Sequence, residues 1–105
     1  MKIEVTPPEQ SPIKPYAFDR VLNISMLNTN PGFEIVQVEG QNDSDMQCSY
    51  HKQFYKTFYG NFLVPKGSFV HYESKYDSGK IVLTKVSDLV IFVNRVKLIL
   101  GLEET

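Results

Sequence analysis

Cysteine is nearly missing from this 105-residue chain: Cys48 stands alone, so neither an internal disulfide nor a cysteine-built metal cluster can form. Tryptophan is absent, and histidine occurs only as His51 and His71. Long apolar runs are missing as well. Leu89–Val93, the longest, falls far short of the roughly 20 residues that cross a bilayer, so no membrane association is expected. No phosphate-binding glycine loop, no Gly-x-Ser-x-Gly elbow and no acidic triad at metal spacing occurs. No catalytic residue, cofactor or bound metal is therefore expected. The opening residues, MKIEVTPPEQ, put acids and prolines where a signal peptide needs an apolar stretch, which predicts a cytoplasmic protein.

What is present is the composition of a globule: 42% hydrophobic, 22% charged and 12% aromatic, too apolar for a wholly disordered chain. The length predicts one domain over residues 1–105, able to bury about two-thirds of its unfolded surface.

Along the chain, Lys2–Thr6 alternates Ile3 and Val5 with charged residues and reads as a short edge strand. Pro7, Pro8, Pro12 and Pro15 make residues 7–15 a proline-rich arm, read as a stiff connector rather than a ligand for an SH3 or WW groove. Leu22, Ile24 and Met26 alternate with Asn23 and Ser25 as a half-buried strand; NTNPG (28–32) is a turn, and Phe33–Glu39 returns as its hairpin partner. Residues 61–64 end a short strand stopped by Pro65-Lys66-Gly67. Ser68–Lys75 and Lys80–Val86 form a hairpin about Tyr76–Gly79, the second strand apolar on both faces and so placed centrally under a helix.

Two segments carry a helical period. In Ser44–Gly60, Tyr50, Phe54, Phe58, His51, Tyr55, Cys48 and Tyr59 fill one arc; Lys52, Lys56, Ser49, Gln53 and Thr57 fill the other. Ser44 and Gln47 have capping-box spacing and Gly60 suits a C′ position. This predicts a core helix burying Phe54 and Phe58. In Asp88–Leu100, the residues Leu89, Phe92, Val93, Val96, Ile99 and Leu100 follow the i, i+3, i+4, i+7 rule. That predicts a second helix; its β-branched residues leave a hairpin turning at Asn94-Arg95 as the alternative. The order β-ββ-α-βββ-α predicts an α+β fold, an antiparallel sheet of about five strands with two helices on one face. A C-terminal hairpin would make it a mostly-β barrel or sandwich instead.

Gly60-NFLV-Pro65-Lys66-Gly67-SFV-His71 resembles the second cupin motif: a glycine, then proline-x-glycine, then a metal-binding histidine. Cupin spacing puts five residues before the proline and two before the histidine, where this chain has four and three. A one-residue slip turns a strand side chain to the other face. No upstream motif with paired histidines accompanies it. A small-ligand or metal pocket around His71 is thus a minor reading, and a turn followed by an ordinary strand histidine the main one.

Charge is uneven despite a net of −1. Residues 1–46 carry a net −4, residues 47–100 a net +5, and Glu103 with Glu104 the remaining −2. Lys66, Lys75, Lys80 and Lys85, with Tyr72 and Tyr76 as anchors, form the predicted partner-binding set. Nine of the thirteen Phe and Tyr residues lie between Tyr50 and Tyr76, interleaved with lysines, a pattern shared with single-stranded nucleic-acid binders. A helix would separate those rings from the lysines. The leading expectation is a small, non-catalytic binding or regulatory protein that docks on a partner protein, acidic at its contact. A single-stranded nucleic-acid module is the alternative, and a homodimer through acidic and basic faces is a further option.

Overall fold

The structure, a computed structural model, describes residues 1–30, 33–43, 46–48, 50, 54–55 and 58–104, with side chains for 1–27, 36–43, 47–48, 50 and 59–104. The elements in order are β1 (Lys2–Thr6), β2 (Tyr16–Phe18), β3 (Arg20–Asn30), β4 (Phe33–Asn42), β5 (Met46–Gln47), β6 (Phe54–Tyr55), β7 (Phe58–Pro65), β8 (Phe69–Glu73), β9 (Ser78–Val82) and α1 (Val86–Glu103). They make an α+β fold of antiparallel sheets and one C-terminal helix. One sheet runs β2-β1-β8-β9, a second β3-β4-β7, and β5 pairs with β6, in each case among the described residues.

The inner faces of the two larger sheets and the apolar stripe of α1 meet in one core. Ile3, Val5, Phe18, Val70 and Tyr72 come from the first sheet, Val21, Ile24, Val36, Val38 and Val64 from the second, and Leu89, Phe92, Val93, Val96 and Ile99 from the helix. A register shift between Val21 and Asn23 leaves Leu22 extra. That bulge lets Val21 and Ile24, three apart, face inward together. Phe18 lies over Gly40 of β4 and packs edge-on against Phe62, with ring centroids 5.4 Å apart. Asn42, fully buried, ties the sheets: its Oδ1 accepts from the Asp19 N–H at 2.7 Å and its Nδ2 donates to the Ala17 carbonyl at 3.1 Å.

Several expectations are corrected. There is one helix among the described residues where two were predicted, and there are two sheets of four and three strands where one of five was predicted. Ser44–Gly60 is not a helix at its described positions: Met46–Gln47 and Phe54–Tyr55 are strands, and Phe58–Gly60 opens β7. Its β-favouring Tyr, Phe and Thr residues prevail over the arc pattern, and β7 gains an eight-position ladder with β4, from Asn42↔Phe58 to Ile35↔Pro65. The predicted burial of Phe54 and Phe58, and exposure of Lys52 and Lys56, lie outside the described side chains. The edge position of Lys2–Thr6 is also wrong: β1 sits between β2 and β8. Lys80–Val86, expected at the centre, contributes to β9, which has only β8 as a strand neighbour among the described residues. The C-terminal helix forms as expected and carries Asn94 and Arg95 mid-helix, which removes the hairpin alternative.

Candidate docking surface

α1 begins where the backbone leaves the extended conformation at Lys85 (φ −120°, ψ 158°). The Asp88 carboxylate caps it, accepting from the Lys85 N–H at 3.0 Å, the Thr84 N–H at 3.2 Å and the Thr84 hydroxyl at 3.0 Å. These bonds, the Lys85 N–H foremost, hold the Asp88 carboxyl below its ordinary value. The stripe Leu89, Phe92, Val93, Val96 and Ile99 is buried. At 100° per residue, Ile91, Leu98 and Leu102 point about 140° away from the middle of that stripe. They are correspondingly exposed: Leu98 keeps 66% of its surface in water and Ile91 53%. Val86 and Val90 add two more half-exposed apolar side chains on the helix. Each such residue in water forgoes burial worth roughly 1.5–3 kcal/mol for a fully covered aliphatic side chain.

Beside this strip runs a groove of about 530 Å³. Tyr76 and Asp77 form one wall, and Ile91, Asn94, Arg95, Leu98 and Leu102 the other. The loop wall is fixed by its own bonds. The Ser74 hydroxyl accepts from the N–H groups of Tyr76 (3.1 Å) and Asp77 (3.2 Å), and the Ser74 N–H donates to the Asp77 carbonyl at 2.9 Å. Arg95 Nη1 reaches Asp77 Oδ2 at 2.8 Å, joining helix to loop. This guanidinium, then the Ser78 N–H, holds the Asp77 carboxyl below its ordinary value. Both partners are substantially exposed, so the pair contributes little to stability and serves to set the groove's width. A smaller hollow of about 160 Å³ between β9 and α1 shares Ile91 and Arg95.

The predicted partner-binding residues are spread along the β8–β9 hairpin. Lys75 and Tyr76 lie at its loop, with the Lys75 ammonium 5.0 Å from the Tyr76 ring centroid. Lys66 and Lys85 lie at the opposite end, where the Gly67 N–H donates to the Leu83 carbonyl. A five-residue strand separates the two ends by roughly 17 Å. Lys80 sits mid-strand on the outer face, 5.6 Å from the Tyr50 ring centroid. Tyr76 is exposed and lines the groove, but Tyr72 is only 6% exposed, a core residue whose hydroxyl faces Asp77. Of the six, Tyr76 lines the larger groove, while Tyr72 and Lys80 line the smaller hollow with Ile91 and Arg95.

His71 alternates with Val70 and Tyr72, so it faces away from the core. Its Nδ1 is 3.9 Å from Glu4 Oε2, a carboxylate oxygen that also accepts the Tyr50 N–H at 3.3 Å. The Tyr50 ring stands edge-on to His71 and Phe69 at 5.0 and 5.1 Å. His51 lies outside the described residues, and among those described no three His, Cys, Asp or Glu side chains gather as a metal set. Cys48 is buried.

The residues that sequence reasoning missed are Ile91, Leu98 and Leu102. The signal was in the helical wheel: these three fall outside the core arc, yet are as apolar as those within it. No helix among the described residues is long and apolar enough to cross a membrane. Compared with known proteins, this chain matches no family model, no curated protein and no solved structure.

Proposed function

We propose that this chain is a small, non-catalytic binding protein that docks on a partner protein through the outer strip of α1 and the groove beside it. The observation that carries the reading is the set of large apolar side chains, Ile91, Leu98 and Leu102, held in water along a rigid helix next to a 530 Å³ groove. An isolated exposed leucine needs no explanation, but a contiguous apolar strip with a polar rim has the anatomy of an interface. Tyr76 supplies an amphipathic anchor at its edge, and Lys75 beside it favours acidic residues on the partner's flank.

The nucleic-acid reading has one observation in its favour: Tyr50 and Tyr76 each have a lysine ammonium near the ring. Affinity capture from nuclease-treated lysate separates the two, with the wild-type chain and Leu98→Arg as baits. A protein retained through nuclease by the wild type and lost by Leu98→Arg is the expected result. A protein captured equally by both baits, or release of all bound material by nuclease, overturns the helix strip as the docking surface.

A further inference from the structure

The spacing of the exposed strip makes it self-complementary. Ile91, Arg95, Leu98 and Leu102 follow one another at intervals of four, three and four, the seam pattern of paired helices. That spacing is palindromic. Turned end for end, a second α1 presents the same intervals in the same order, so Ile91 meets Leu102 of the other copy and Arg95 meets Leu98. We propose that the partner is a second copy of this chain, docked antiparallel, α1 on α1, about a two-fold axis between Val96 and Lys97. This rests on the docking reading above and names its partner.

Charge agrees with it. Arg95 is the one charged residue of the seam, and Asp77 at 2.8 Å draws its guanidinium towards the β8–β9 loop. Its aliphatic stem stays on the helix face, able to cover an opposing leucine. The patch is therefore neutral as a unit and can meet itself without like-charge repulsion, which the lysines of the hairpin could not. A parallel pairing would instead stack Arg95 on Arg95.

Area agrees as well. Tyr76, Ile91, Arg95, Leu98 and Leu102 are each about half exposed, leaving on the order of 100 Å² apiece for side chains of this size. With the flanking polar residues, that approaches the roughly 800 Å² per partner of a standard interface.

Sedimentation equilibrium on the full chain from micromolar to submillimolar concentration tests this. The expected mass rises towards twice that of the chain. Leu98→Arg, which faces arginine with arginine, should return it to one chain mass with an unchanged circular dichroism spectrum, since Leu98 makes no core contact. Orientation is read by oxidative cross-linking: Ile91→Cys chains mixed with Leu102→Cys chains should form a disulfide, and neither variant should do so alone. A wild-type monomer throughout, a dimer indifferent to Leu98→Arg, or cross-linking of one variant with itself each overturns the proposal. If the wild type is a monomer yet Leu98→Arg loses a captured protein, the second copy is refuted while the docking surface stands. A dimer lost by Leu98→Arg, with no other protein captured, upholds both.

Discussion

Gly40→Ala is the smallest change that should damage this core. A Cβ built on Gly40 stands within 2.7 Å of three carbons of the Phe18 ring. The ring cannot easily yield. It is fully buried, and Tyr16 and Phe62 hold it edge-on at centroid distances of 5.7 and 5.4 Å. Retreat of the β4 backbone would disturb the Asn42 hydrogen bonds two residues on. In an unobstructed strand, Gly→Ala would gain about 0.4–1 kcal/mol by restricting the unfolded chain. Overpacking costs about 1–3 kcal/mol, and more where the neighbours are rigid, so the clash prevails. A net loss of about 2 kcal/mol is expected, or on the order of 10 °C in Tm for a domain of this size. Urea unfolding, followed by circular dichroism at unchanged slope, measures it. The double variant Gly40→Ala with Phe18→Leu should be more stable than the sum of the single changes by about 1–2 kcal/mol, because the smaller side chain makes room. A neutral or stabilised Gly40→Ala, or simple additivity, would refute the steric account.

Asn42→Ala should cost about 2–3 kcal/mol, since it strands the Asp19 N–H and the Ala17 carbonyl where the sheets join; a change below about 0.5 kcal/mol in a urea melt would contradict the clip. The Asp88 cap should fail in acid. Its lowered pKa means that the cap's contribution is complete above the ordinary carboxylate value of 3.8 and is lost as pH falls through the lowered folded value. The Tm gap between wild type and Asp88→Asn should accordingly be open at pH 7 and narrow below pH 3.8. A gap independent of pH would remove the carboxylate from the capping role.

The legible part of the fold is the part ruled by one local period. α1 shows this best: five of the six residues assigned to its inner face, Leu89, Phe92, Val93, Val96 and Ile99, are buried, and the sixth, Leu100, is partly so. The β3–β4 hairpin is legible too, because a dense turn signal stands between alternating runs, although Asn28–Asn30 of the expected turn extend β3 instead. Ser44–Gly60 misled because an aromatic-rich stretch can satisfy a helical wheel while its residues individually favour strands. The position of β1 was hidden for a different reason. Its burial depends on pairing with β8, distant in sequence, and nothing in Lys2–Thr6 itself carries that information. The bulge at Leu22 is likewise a property of the pair. At the candidate surface, Tyr76 was singled out from the sequence. The helix strip is not announced by the period, which marks the residues α1 buries and is silent on the apolar ones it leaves in water.

The partnership of β1 with β8 also imposes an order on folding. Ile3 and Val5 stand opposite Tyr72 and Val70, so β1 has no complete seat until the chain has been synthesised past Glu73. Closing so long a loop is entropically costly and gives little back until the ladder zips. The hairpins β3–β4 and β8–β9 close over short spans and can form on their own clock, whereas the four-stranded sheet must wait. During synthesis, therefore, β1 can pair with β2 over a short span but keeps its other edge open until β8 emerges. Through that interval the β8-facing edge of β1 is an open template for chaperones and for aggregation.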